Sequence, residues 1–114
     1  MTREDIFMDK HFKMVYLLDI YGGLLTERQQ SYLDMYYNED LSLSEIASRE
    51  GVSRQAVSDL IKRSEKILDE YDDKLMLFDK YLKNIQTIDR IKATLGDERH
   101  SEILKMLDGL RDDL

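Results

Sequence analysis

Apolar residues recur along this chain at steps of three and four almost from end to end. In "IFMDKHFKMVYLLDIYGGLL", Ile6, Phe7, Met14, Leu17, Leu18 and Tyr21 share one face of a helix. Gly22 and Gly23 are expected to end it, because glycine takes left-handed dihedrals at little cost. The next segment, "TERQQSYLDMYYNED", opens on Thr26 with Gln29 three residues on, the pattern of a capping box. Leu33, Tyr36 and Tyr37 give it an apolar side, and Asn38 to Asp40 predicts a break. Ser42 and Glu45 repeat the box, and Leu41 and Ile46 stand around it at the positions of a hydrophobic staple. Gly51 predicts the end of this short helix and Ser53 the cap of the next.

From Ser53 to Leu95 neither glycine nor proline interrupts the chain. Val57, Ile61, Ser64, Leu68, Tyr71, Leu75, Phe78, Leu82 and Ile85 alternate at steps of four and three, a heptad-like stripe. The pattern predicts one long helix, or two with a bend near "DEYDD", Asp69 to Asp73. The stripe from Leu68 to Ile85 either packs back on the N-terminal helices or pairs with another copy. Heptad spacing and the symmetry habits of small proteins favour a homodimer. Ile88, Ile91 and Leu95 continue with a drifting seam, and Gly96-Asp97 closes the segment. A last helix, about Glu98 to Asp112, sets Ile103, Leu107, Leu110 and Leu114 on one side. The expected fold is all-α, with a helix-turn-helix domain over residues 1–68 and a helical extension over 69–114 as a dimerisation element.

The helix-turn-helix expectation rests on sterics. Two short helices crossing steeply need a small residue where they touch, a residue that tolerates positive φ in the turn, and an apolar plug from the second helix. Ala47, Gly51 and Val57 fill those places, and Ile46, Val52, Leu60 and Ile61 supply further core contacts. An ordinary helical hairpin in a bundle has similar spacing; the agreement of caps, turn and plug favours the motif.

Charge sharpens the picture. The chain has 114 residues, the size of one compact domain or of a helical head with an extension, and its net charge is −7. Bulk charge therefore repels nucleic acid and anionic membranes, and binding to either requires a local basic face. From Val52 to Lys66, four basic residues (Arg54, Lys62, Arg63 and Lys66) outnumber two acidic ones, Asp59 and Glu65, for a net of +2. With Val57 pointing inward, Gln55, Ser58, Asp59, Lys62, Arg63 and Lys66 cover the outer face at about 100° per residue. Ser53 caps the helix. Arg54, Gln55 and Ser58, near its start, are placed for base edges, and Lys62, Arg63 and Lys66 for phosphates. Asp59 sits amid that face and repels phosphate. A merely solvated helix face has the same composition.

The stretch "LLTERQQSYLDMYYNEDLSLSEIASREGVSRQAVSDLIKRSEKILDEYDDKL" resembles the YlxM family, small bacterial helix-turn-helix proteins linked to the signal recognition particle. The similarity spans about Phe12 to Tyr81, with "LSLSEIA", "GVSRQAV", "IKR" and "EKILDEY" as its specific parts. The core is also similar to region 4 of sigma factors, which reads promoter DNA. The resemblance implies an all-α fold, a cytoplasmic setting and an auxiliary role beside the particle's GTPase and its receptor; the nucleic acid expected at the basic helix is either promoter-like DNA or the RNA of the particle. That resemblance carries family features to Ser53, Arg54, Gln55, Ala56, Val57, Asp59, Ile61, Lys62 and Arg63. Ser58 and Leu60 depart from the tyrosine and asparagine frequent in the family.

Other chemistry finds little support. There is no cysteine, which excludes disulfides, thiolate metal sites and a cysteine nucleophile. His11 and His100, the only histidines, lack metal-ligand spacing, so no metal or other cofactor is expected. "DEYDD" lacks the glycine and spaced oxygens of a calcium loop, Gly22-Gly23 has no GK[ST] after it, and no nucleophile motif surrounds a serine. An enzyme is not expected. Charges threaded through "MTREDIFMDKHFK" argue against a signal peptide or membrane insertion. Five of the seven tyrosines precede the motif, and packing is the expected role for them rather than base stacking.

Overall fold

Six α-helices and no strand are found among residues 9–96 and 101–113, the part described by the computed structural model. They are α1 (Lys10–Tyr21), α2 (Glu27–Tyr37), α3 (Leu43–Glu50), α4 (Arg54–Leu75), α5 (Leu77–Leu95) and α6 (Ser101–Asp112). The all-α expectation holds. Ile6, Phe7, Asp97 to His100 and Leu114, which the sequence pattern assigned to helices or their ends, lie outside the described residues.

Local chemistry sets the helix starts. The Thr26 hydroxyl accepts from the Gln29 N–H at 3.2 Å, and the Gln29 side chain accepts from the Thr26 N–H at 3.0 Å. Ser42 and Glu45 make the same reciprocal pair at 3.0 and 3.1 Å. The hydrogen bonds from Ser42 hold the Glu45 carboxyl below its ordinary pKa, as expected when the acceptor must be ionised. Ser53 caps α4 by accepting from the Ala56 N–H at 3.0 Å.

Two helix ends depart from expectation. Gly22 ends α1 with right-handed dihedrals (φ −54°, ψ −34°) and begins a 3-10 turn, Gly22–Leu24. What selects glycine there is space: a Cβ would lie 3.2 Å from Leu18 Cδ1 and 3.3 Å from the Gln30 side chain. The second departure concerns the acidic run. Helix α4 runs uninterrupted through Asp69 to Asp73 and stops at Met76, a non-glycine residue at φ 54°. The chain divides into two compact units, Met1–Met76 and Leu77–Leu114.

In the first unit, α4 packs against α1, α2 and α3. Leu17, Leu33, Ile46, Val57 and Leu68 are fully buried, and each such side chain contributes about 1.5–3 kcal/mol by leaving water. Ser64, the small member of the stripe, is also buried and donates to the Leu60 carbonyl at 2.7 Å. Val57, Ile61, Ser64 and Leu68 thus form the inner face of α4. Tyr71 stacks on Tyr21 at 6.1 Å between ring centroids. That part of the stripe is occupied within the subunit. Leu75, the next member, is exposed.

Tyr21, Tyr32 and Tyr37 are buried, in keeping with a packing role. Two of them also pin α4. Tyr37 donates to Glu65 at 2.7 Å, and Lys10 meets the other Glu65 oxygen at 3.0 Å. Tyr21 donates to Asp72 at 2.9 Å. Burial first, then the bond to Glu65, pushes the Tyr37 hydroxyl pKa far above its usual value, so it stays a donor.

Asp69 belongs to the same acidic side of α4. Burial raises its carboxyl pKa, Lys13 lowers it, and Asp73, Glu65 and Asp72 raise it again; the net direction is up from 3.8. A carboxyl with a raised folded pKa is held more tightly as the acid, so its ionised form costs stability at neutral pH. That cost disappears as the pH falls through the raised value. Asp69→Asn is expected to raise the urea midpoint at pH 7 and to lose this advantage in acid. A lower midpoint at pH 7 would contradict the assignment.

The second unit holds α5 and α6 side by side. Lys92 pairs with Asp108 at 2.6 Å and Arg111 with Asp89 at 3.5 Å, so the two helices run antiparallel. Ile88 is buried, while no residue of α6 is.

Candidate nucleic-acid interface

The corner between α3 and α4 is built from three residues. Gly51 takes φ 68° and ψ 33°, and its N–H bonds to the Ala47 carbonyl. The Val52 N–H reaches the same carbonyl at 3.1 Å, wrapping the helix end as in a Schellman motif. A Cβ on Gly51 would meet nothing within 4 Å, so the glycine is selected by its dihedrals rather than by space. Ala47 is 7% exposed and Val57 fully buried, the contact and plug that the sequence predicts. Ile46 and Ile61 are buried beside them, and Val52 and Leu60 are half-buried.

Beyond the corner, α4 shows solvent a polar side. Arg54, Gln55, Asp59, Lys62, Arg63 and Lys66 are exposed, as is Ser53 at the cap; Ser58 is half-buried. At about 100° per residue, Gln55, Asp59, Lys62, Arg63 and Lys66 form one strip opposite Val57 and Leu68. Arg54 and Ser58 lie toward one flank of it. The structure therefore gathers most of the expected site residues but sets those two aside from the centre.

The electrostatics of the strip are uneven. Gln55 donates to Asp59 at 2.9 Å, which occupies one oxygen of the only acid at its centre. Among the described residues, none of Arg54, Lys62, Arg63 and Lys66 forms an ion pair. Elsewhere Lys10, Arg49, Lys83, Lys92 and Arg111 are each tied to a carboxylate. The cations of α4 are thus open to an outside anion, while Glu65, the other acid of the segment, is turned inward to Tyr37 and Lys10.

Sequence reasoning missed that last arrangement. Glu65 counted only as a negative charge on the helix, because its partners lie 28 and 55 positions away in the chain. Its place next to Ser64 on the half-buried flank was the available signal. No cluster of three metal-ligating side chains occurs among the described residues, and no described helix is long and apolar enough to cross a membrane.

A capped short helix, a left-handed glycine corner and a second helix with a solvent-facing polar strip define a helix-turn-helix protein, an architecture common among nucleic-acid-binding regulators. The chain belongs to the UPF0122 family of "YlxM / p13 like" helix-turn-helix proteins, whose model matches residues 8–107. It is 47% identical to a UPF0122 protein of Bacillus mycoides (strain KBAB4) over 93 residues, 82% of this chain and 84% of that relative. UPF0122 proteins of Bacillus thuringiensis (strain Al Hakam) and Bacillus anthracis (strain A0248) are 46% and 45% identical over the same lengths. The family match extends well past Tyr81 into α6.

Proposed function

We propose that this protein is a nucleic-acid-binding accessory of the signal recognition particle pathway, acting in the cytoplasm on the particle's RNA or on DNA. One observation carries the binding part: an acidic chain of net charge −7 keeps four cations of its second motif helix exposed and, among the described residues, without an ion pair. In this reading Lys62, Arg63 and Lys66 meet phosphates, Ser53 orders the helix start, and Arg54, Gln55 and Ser58 meet base edges or sugars. Asp59 accepts from an amino group, such as that of cytosine, and penalises phosphate. At most four phosphate contacts give modest affinity, so a partner has to position the protein. The pathway part rests on the likeness to the YlxM family.

A second reading is a protein-binding regulator of the particle's GTPase or its receptor. Charge distribution favours it: residues 1–39 carry a net −3 and residues 67–114 a net −4, against zero for residues 40–66. An acidic body suits a basic protein partner. A promoter-reading regulator is the third, suggested by the sigma-like core.

Pull-down of the GTPase with this protein, before and after ribonuclease treatment, separates the first two. Capture that disappears with the RNA supports nucleic-acid binding. Capture that is indifferent to ribonuclease supports direct protein recognition and sets the first reading aside.

A further inference from the structure

Asp59 is out of place among the cations of α4. Lys62 and Arg63 stand three and four positions on, the spacing at which an acid and a following base pair on a helix. No such pair forms among the described residues. The carboxylate turns to the helix start instead, one oxygen accepting from the Gln55 amide nitrogen at 2.9 Å. Both side chains are exposed. An acid here weakens the attraction for phosphate and supports no buried contact, so its effect falls on whatever else approaches the strip.

The hydrogen bond fixes what the pair shows. Only the amino end of an amide can face a carboxylate, so the Gln55 carbonyl oxygen points away from Asp59. That oxygen, the second N–H of Gln55 and the second oxygen of Asp59 make no hydrogen bond among the described residues. The strip is thereby divided along its length. A neutral amide and an acceptor-only carboxylate lie toward the start of α4, and Lys62, Arg63 and Lys66 follow.

Base edges in the major groove of DNA sort on the same chemistry. Cytosine offers an amino donor there, and adenine an amino donor beside the N7 acceptor; guanine and thymine turn a carbonyl oxygen to the same place. A carboxylate attracts the cytosine amino group and repels the guanine and thymine oxygens. An amide with one acceptor and one donor matches the adenine pair. Arg54, the residue type suited to guanine, stands toward the flank. A-form RNA hides this edge in a groove too narrow for side chains to read, so the code applies to DNA duplexes.

We propose, on the reading above that the strip binds nucleic acid, that the Gln55–Asp59 pair sets its specificity. Gln55 reads an adenine and Asp59 a cytosine in the major groove of duplex DNA, and Asp59 excludes guanine and thymine from its position. The acid exchanges general attraction for phosphate against discrimination between bases.

Selection from a pool of DNA duplexes randomised at the centre, in about 50 mM salt, tests this, with a pool of RNA run beside it. The wild-type chain is expected to enrich duplexes with a cytosine and an adenine close together. Exchanging that cytosine for guanine is expected to weaken binding by about tenfold or more. Asp59→Asn is expected to raise affinity and to move the preference at that one position from cytosine to adenine, the base that an amide matches. Lys62→Ala is expected to weaken all duplexes alike. If Asp59→Asn raises affinity by the same factor on every sequence, the pair is merely solvated and the proposal falls, while the strip remains an interface. Enrichment of guanine at the Asp59 position, or capture from the RNA pool alone, has the same consequence. Capture from neither pool overturns the nucleic-acid reading itself and the proposal with it.

Discussion

Alanine at Lys62, Arg63 and Lys66 together is expected to weaken nucleic-acid binding by about a hundredfold to a thousandfold near 0.1 M salt, with thermal stability little changed. Each phosphate neutralised by a cation releases about 0.9 of a counterion, so each is worth a little under tenfold at that salt. Losing three compounds the effect. The slope of log affinity against log salt is expected to flatten by about 2.7 per chain. The three side chains are exposed and make no ion pair among the described residues, so their removal takes nothing from the core. Asp59→Asn is the converse probe. It removes the negative charge at the centre of the strip and keeps an oxygen for the Gln55 amide, which now donates to it at 2.9 Å. Affinity for a phosphate-dominated ligand is expected to rise. Titration of a labelled oligonucleotide at several salt concentrations measures both. Unchanged affinity in the triple variant would remove the strip from the interface.

Leu68→Ala is expected to be the more damaging change to the fold, at about 2–5 kcal/mol. Leu68 is fully buried on the inner face of α4, which packs against α1, α2 and α3, so truncation leaves a cavity that neighbouring helices fill only in part. In a unit of this size each kcal/mol lowers the melting temperature by about 4–8 °C, so the midpoint is expected to fall by roughly 8–40 °C. Leu75→Ala removes the same atoms one heptad further on, at a position 48% exposed. Its effect is expected to stay within about 0.5 kcal/mol. The contrast separates two fates for one stripe. If the stripe were a seam between copies throughout, both changes would lower the midpoint in a concentration-dependent way. Equal losses at the two positions would contradict the packing described for α4.

The parts of this structure that were legible in the sequence are those governed by neighbours in the chain. Thr26, Ser42 and Ser53 cap helices because the amides they satisfy lie three residues on. Gly51 is legible because only its own dihedrals decide it. The corner, its alanine contact and its valine plug follow, and with them the exposed cationic strip. Gly22 was legible as a helix end but not for its cause, which is the approach of Leu18 and Gln30. Met76 gave no signal at all. Nothing in a methionine announces a left-handed residue, and the heptad stripe runs straight across it. Tyr37, Glu65 and Lys10 meet through the tertiary fold, and the half-buried state of Ser58 follows from the same packing.

The central claim is that the outer strip of α4 touches nucleic acid. Photocrosslinking in the protein's own cells, followed by mapping of the attached peptides and sequencing of the attached strands, tests this most directly. Adducts on the α4 segment from Arg54 to Lys66, on a recurrent RNA or DNA, are the predicted result. Adducts confined to other helices, or a protein recovered with partners and no nucleic acid, would contradict it.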